Sequence, residues 1–228
     1  MAKKKYALNN SYFKNRGYND PETILEIAKY QQEHNELPFD YHGDNWVYDA
    51  FCERQKRSGV YHQQFLTPDA TAQRLVQIAS NYAGDTEKVL DACCGTGQLT
   101  KQLINENFKV EGFDFSSEMI ELCQLLYPEQ LFYTSDYKYC QSEVKYPLIV
   151  SNPPYDVSDL TEFLEWINKH LTTKGIAVLL IPNGFLDKTR PKKIVEVLNN
   201  FAILEREAMT EEFARTKIRA EIVVLQKI

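Results

Sequence analysis

No apolar run in this 228-residue chain approaches the ~20 residues that a membrane-spanning helix needs. The start, Met1 to Lys5, is basic but no hydrophobic segment follows it, so no secretory leader is expected. Cysteine is sparse. The five thiols (Cys52, Cys93, Cys94, Cys123 and Cys140) are odd in number, form no CxxC and join no histidine at zinc spacing. That pattern argues for reduced thiols in the cytoplasm and for no metal. The four histidines (His34, His42, His62 and His170) are scattered, so none is placed to serve a hydrolase triad. His170, near a helix end, reads as a solvated or capping residue. Positive charge is in deficit: the formal net charge is −6. That argues against coating nucleic acid by bulk charge, but leaves room for a local basic face. Repeats and low-complexity tracts are absent.

What remains is the composition of a globular protein, with 43% hydrophobic and 25% charged residues. The first 58 or so residues are polar and rich in Asn and Tyr, with two expected helices. One opens at Asp20-Pro21 and runs to about Glu33; the other runs from Asn45 to about Lys56. From about Gly59 the signals become regular. Thr67-Pro68 reads as a cap and first helical residue, with Ala72, Leu75, Val76 and Ala79 on one face. Strands are then expected at Val89–Leu90, Val110–Phe113, Leu131–Thr134, Leu148–Val150, Ile176–Ile181, Ile203–Ala208 and Ile222–Leu225. Helices fall between most of them, including one from Ser116 with Met119, Ile120, Cys123 and Leu126 inward, and one over Asp159–Leu171. Alternation of this kind gives an α/β fold: a Rossmann-like, mainly parallel sheet of seven strands with helices on both faces. The expected division is a helical extension, 1–58, and a sheet domain, 59–228.

In such sheets ligands bind beyond the carboxyl ends of the strands, and the unusual residues sit there. Gly95 and Gly97 lie in a strand-to-helix turn, Asp91-Ala92-Cys93-Cys94-Gly95-Thr96-Gly97. The third glycine of a dinucleotide fingerprint is missing, since Thr100 takes its place, and this disfavours a nicotinamide enzyme. Asp114 ends the second strand, where a carboxylate can accept both hydroxyls of a ribose. Asp136 follows the third strand, where an acid can accept from an adenine amino group. Asn152-Pro153-Pro154-Tyr155 follows the fourth strand. Its prolines fix φ and remove two N–H donors, leaving the Asn152 side-chain oxygen and the Pro153 carbonyl as converging acceptors. Two acceptors suit an –NH₂ group whose lone pair is delocalised, because pulling on its hydrogens favours a pyramidal, nucleophilic nitrogen. Tyr155 offers a face for stacking a planar group.

These residues resemble the class I S-adenosylmethionine-dependent amino-methyltransferases that carry an (Asn/Asp/Ser)-Pro-Pro-(Tyr/Phe/Trp) motif. The glycine turn is similar to that family's Asp-Pro-x-Cys-Gly-x-Gly, departing at Ala92. Gln64-Phe65-Leu66-Thr67-Pro68 resembles the Phe-x-Thr-Pro opener of adenine-specific DNA methyltransferases, including modification subunits of restriction systems. The resemblance implies S-adenosylmethionine as cofactor and an antiparallel last strand. It implies that Phe65 and Thr67 close over the methionine end, which Asp91, Cys93, Gly95 and Gly97 hold. Asp114 would then take the ribose, Phe115 would pack on the adenine, and Asp136 would bind the adenine amino group. Asn152, Pro153, Pro154 and Tyr155 would bind and activate the target, Asn152 would also contact the cofactor, and Phe213 would pack against an extruded base. Transfer would be direct, since no cysteine has the setting that carbon-5 methylation requires.

Two segments are locally basic, Lys188 to Lys193 and Arg215 to Arg219, and both belong to the edge that carries Asn152. Lys188, Arg190, Lys192, Arg215 and Lys217 are therefore candidate phosphate contacts. The expected partner is nucleic acid, with DNA first. A catalytic segment of ~170 residues leaves no room for a large recognition domain, so recognition would be short or supplied by a separate subunit. RNA, a protein glutamine, and a binding module without turnover remain open as alternatives.

Overall fold

The computed structural model describes residues 21–43, 45–51, 66–140, 143–187, 192–209 and 219–228. Seven strands form one sheet. They are β1 (Lys88–Ala92), β2 (Lys109–Asp114), β3 (Leu131–Thr134), β4 (Tyr146–Ser151), β5 (Leu171–Pro182), β6 (Phe201–Ala208) and β7 (Ala220–Lys227). Their order is β3-β2-β1-β4-β5-β7-β6. Strands β3 to β5 pair in parallel, and β7 runs antiparallel to both β5 and β6. The helices are α1 (Pro21–His34), α2 (Asp69–Tyr82), α3 (Gln98–Asn105), α4 (Ser117–Leu126), α5 (Val157–His170) and α6 (Lys192–Leu198). Residues 46–51 are also helical.

The continuous apolar run in β5 has a direct cause. Ile176, Val178 and Leu180 enter the cluster beneath α2 and α3, together with Leu75, Val76 and Leu99. Ala177, Leu179 and Ile181 enter the opposite cluster, with Phe163, Leu164 and Ile167 of α5. Alternate residues of a strand point to opposite faces, and here both faces are covered. The strand begins five residues before its apolar run because Leu171 already pairs with Tyr146, with a register shift before Leu148.

Three local expectations change. First, Ser116 caps α4 as expected, accepting from the Met119 amide, but Leu122 is buried too. Helix α1 covers that second face: Ile24 and Ile27 pack with Trp46, Val47, Met119 and Leu122, and Lys29 pairs with Glu121 at 3.1 Å. Second, His170 is buried rather than solvated, because its ring stacks on Trp166 and its Nδ1 lies 2.7 Å from the Trp166 carbonyl. Third, Thr67 is not the cap of α2. The N-cap is Pro68, whose side chain makes no capping bond.

Helix α5 is capped by Asp156, which accepts from the Ser158 amide at 2.8 Å. At the exit of β5, Arg206 makes paired bonds to Asp187 and to the buried Glu221, which also accepts from the Gly184 amide at 2.8 Å. Among the described residues no helix is long and apolar enough to cross a membrane.

Candidate active site

The sheet order reverses direction between β1 and β4, and a cleft opens beyond their carboxyl ends. Ser151 Oγ donates to the Ala92 carbonyl at 2.6 Å, tying the two strand ends together. A cavity of about 460 Å³ lies there, in the range of small-molecule sites. Its lining draws on three successive strand ends. Cys93 and Gly95 come from the first, Asp114 and Phe115 from the second, and Asp136 and Lys138 from the third. Thr67 reaches it from the segment before α2, and Asn152, Pro153 and Pro154 from the loop after β4.

The glycine turn is built to admit a ligand. Gly95 has φ +53°, and a Cβ there would meet no protein atom within 4 Å. The space beside it is open to the cavity. Gly97 has φ +79°, and a Cβ there would lie 2.7 Å from Tyr127. So Gly97 serves the tight turn, while Gly95 leaves clearance for a bound group. Cys93 also has a positive φ, 59°. Burial, reinforced by Asp114 and Asp91, pushes its thiol well above the usual range, so it is no thiolate nucleophile.

Asp114 is buried and doubly anchored. Its Oδ2 accepts from the Gly95 amide at 3.0 Å and its Oδ1 from the Ser116 amide at 3.0 Å. Burial raises its pKa, and these amides hold it down in part. Asp91 is 0% exposed. One oxygen accepts from Thr100 Oγ1 at 2.6 Å; the other, Oδ1, is buried with no hydrogen-bond partner among the described residues. Gln98 mirrors it. Its Oε1 accepts from Thr96 Oγ1 at 2.6 Å, whereas Nε2 is a buried donor with no partner among the described residues.

An acceptor and a donor left over beside an open glycine turn match a zwitterionic amino-acid end. Asp91 Oδ1 suits its ammonium and Gln98 Nε2 its carboxylate. With Asp114 for ribose hydroxyls and the exposed ring of Phe115 (57%) at the rim, the donor set fits S-adenosylmethionine.

The other candidates fall as follows. Asp91 and Gly97 are not lining residues themselves; Gly97 adjoins the lining residue Gln98, and Asp91 lies in the same turn as the lining residues Cys93 and Gly95. Asp136 lines it, with Oδ1 accepting from the Lys138 amide at 2.9 Å. Tyr155 is 8% exposed, and its ring packs in the cluster beneath α2, away from the cavity. Lys192 is exposed and pairs with Glu196 at 3.4 Å. Phe65, Lys188, Arg190, Phe213, Arg215 and Lys217 lie outside the described residues. The strand ends flanking the basic segments, Pro182, Ala208 and Ala220, do meet at this edge.

Gln98, Lys138 and Asp159 are lining residues that the sequence reading missed. Gln98 directly follows the second glycine, a signal that was available. Lys138 and Asp159 meet only in space, at 2.5 Å, with Glu162 3.7 Å from the same ammonium. Among the described residues no cluster of three acid, histidine or cysteine side chains could hold a metal.

Residues 89–175 match the sequence profile of the family described as "Methyltransferase domain". The match spans under half of the chain; a methyltransferase-domain segment within a sheet of the class I S-adenosylmethionine-dependent methyltransferase fold implies S-adenosylmethionine as cofactor. The chain is similar to two malonyl-[acyl-carrier protein] O-methyltransferases. One, from Bacillus anthracis, is 29% identical over 41% of this chain and 37% of that protein. The other, from Priestia megaterium, is 29% identical over 61% of this chain and 45% of that protein. The chain thus spans less than half the length of either. The fold is also that of a Listeria monocytogenes chain assigned to the class I S-adenosylmethionine-dependent methyltransferases, with TM-score 0.69 and 15% identity over 91% of this chain and 80% of that one.

The Asp91 carboxyl has a pH consequence. Burial lifts its pKa from 3.8 to about 7. A folded-state pKa above the unfolded one means that folding takes up a proton between those values. The contribution to stability is therefore full below pH ~4 and lost as pH rises to about 7. Melting temperature of the cofactor-free protein is expected to fall across that window. Asp91→Asn should flatten the profile. Cofactor affinity should move oppositely, rising towards pH 7 as Asp91 ionises to meet an ammonium. Calorimetric melting and titration at stepped pH check both.

Proposed function

We propose that this chain methylates the exocyclic amino group of a planar base, with adenine in DNA as the first candidate. The observation that carries this reading is that Asn152, Pro153 and Pro154 line the same cavity as Gly95 and Asp114. Cofactor and acceptor groups therefore face one space. When bound, S-adenosylmethionine supplies a methyl group on a positively charged sulfur that departs as a thioether. Asn152 Oδ1 and the Pro153 carbonyl accept the two N–H bonds of the target, making its nitrogen pyramidal and nucleophilic. As the N–C bond forms, the hydrogen bond to Asn152 Oδ1 holds the proton that the nitrogen then releases to water. The gain comes from positioning and polarisation in an enclosed site. A base in a duplex must leave the stack to reach it.

Similarity to malonyl-[acyl-carrier protein] O-methyltransferases favours a second reading, methyl transfer to a carboxylate oxygen. The acceptor chemistry opposes it. A carboxylate has no hydrogens to offer two carbonyl-type oxygens, and the cation at the cavity wall, Lys138, is already engaged by Asp159 and Glu162. Incubation of the full chain with tritiated S-adenosylmethionine separates the readings. Unmethylated DNA, RNA, total protein and malonyl-loaded acyl carrier protein are the four acceptors. Label is expected in DNA, as N-methylated adenine. Label in RNA or in a protein amide would keep the amino chemistry and change the substrate. Label in the malonyl carrier would overturn the reading.

A further inference from the structure

We infer that Thr67 is a positioning residue of the acceptor site: its hydroxyl holds the Asn152 amide with Oδ1 turned towards the cavity. The inference rests on the reading of Asn152 as acceptor of the target's amino hydrogens. It departs from the role that the family resemblance gives Thr67, which is contact with the methionine end of the cofactor.

The geometry points this way for three reasons. Asn152 Nδ2 donates to Thr67 Oγ1 at 2.9 Å, joining two segments 85 residues apart. Both residues line the cavity, and Thr67 is 4% exposed, so little water competes for the bond. Thr67 also stands where a helix cap is expected, yet the N-cap position falls to Pro68, and the Thr67 hydroxyl accepts from Asn152.

The chemistry explains why such a bond matters. The backbone of Asn152 is held on both sides. Ser151 is fixed to Ala92 at 2.6 Å, and Pro153 restricts the residue before it. The remaining freedom lies in the side-chain torsions, and that of the terminal amide has a preference that is broad and roughly two-fold. The two ends of the amide are nearly equal in size and opposite in hydrogen-bonding sense. Half a turn would present an N–H donor to a target that itself brings N–H donors, and the polarisation would be lost. Thr67 selects the useful half. The start of α2 is in turn tied to the N-terminal extension, since Asn45 Nδ2 donates to Asp69 Oδ1 at 3.2 Å. The extension thereby helps to seat the segment that orients Asn152.

The test compares Thr67→Val, which keeps shape and loses the hydroxyl, with Thr67→Ser, which keeps the hydroxyl. Thr67→Ala is the second hydroxyl-free variant should Val not fold, and Asn152→Ala is the control. Cofactor Kd is measured by titration, and kcat with tritiated S-adenosylmethionine on unmethylated DNA, or on whichever of the RNA and protein pools takes label. Thr67→Val should hold cofactor Kd within about twofold and lower kcat about 10- to 100-fold, with Thr67→Ser restoring most of it. A wild-type kcat in Thr67→Val overturns the inference. So does weakened cofactor binding at unchanged kcat, which would return Thr67 to the methionine end. If Asn152→Ala is inactive while Thr67→Val is normal, only the Thr67 role fails. If Asn152→Ala transfers normally, or the wild type labels no pool, the acceptor reading fails with it.

Discussion

Asn152→Ala is expected to bind S-adenosylmethionine about as well as the wild type and to lose methyl transfer by about 10²- to 10³-fold in kcat. The two halves of this expectation have separate causes. The cofactor groups lie on the glycine turn and on the strand ends of β1, β2 and β3, and the bonds that hold Asp91 and Asp114 come from Thr100, Gly95 and Ser116. Removing the amide therefore leaves Asp91, Asp114 and Gln98 in place. The acceptor loses the oxygen that polarises its amino group. The Pro153 carbonyl alone can hold one hydrogen but cannot draw the nitrogen out of plane from both sides. A loss confined to kcat identifies an interaction made in the transition state. Titration of cofactor and steady-state transfer on the same preparation measure both. A variant that transferred at the wild-type rate would remove the amino-acceptor reading altogether.

Asp114→Ala is expected to weaken cofactor binding by about 10²- to 10³-fold, an effect read in Kd and in the cofactor KM. Asp114 acts twice. Its buried carboxylate is placed to accept from ribose hydroxyls, and it fixes the glycine turn through the Gly95 amide and the start of α4 through the Ser116 amide. Hydrogen bonds to a charged group are the stronger kind, at roughly 1.5–3 kcal/mol each. Without the carboxylate, the Gly95 amide also loses its partner in a half-buried turn. Asp114→Asn keeps the shape and one acceptor oxygen, so it should fall between the two. Equal Kd values for all three proteins would mean that Asp114 is structural only. Melting temperature distinguishes that case, because loss of the turn alone would lower it without a change specific to cofactor.

Most of the architecture was legible in the chain itself. Each of the seven strands announces itself by a short apolar run, and turn residues separate them. The double-sided burial of β5 follows from its unbroken apolar stretch. The strand-end residues that line the cavity, Asp114, Asp136 and Asn152, were also visible, because α/β sheets place ligands beyond the carboxyl ends of their strands. Where the reading missed, the reason is a partner distant in sequence. Leu122 is buried because α1 covers it, and His170 because it stacks on Trp166 and bonds back to it. Tyr155 illustrates the same limit within the motif. A tyrosine after two prolines looks like a stacking surface, but its ring joins the apolar cluster beneath α2.

The sequence by itself determined the order of elements, the sheet class and the chemistry available at its edge. Those follow from periodicity, from backbone constraints at glycine and proline, and from residue type, all of which are local. Only the tertiary structure decided which of these groups work together. Thr67 and Asn152 are 85 residues apart, yet the hydroxyl that local rules assign to a helix cap is used to aim an amide. Asp91 Oδ1 and Gln98 Nε2 become a matched acceptor and donor only because folding buries both without a partner among the described residues. A side chain has more than one satisfactory partner in principle, and packing of the whole chain selects which of them lies within reach.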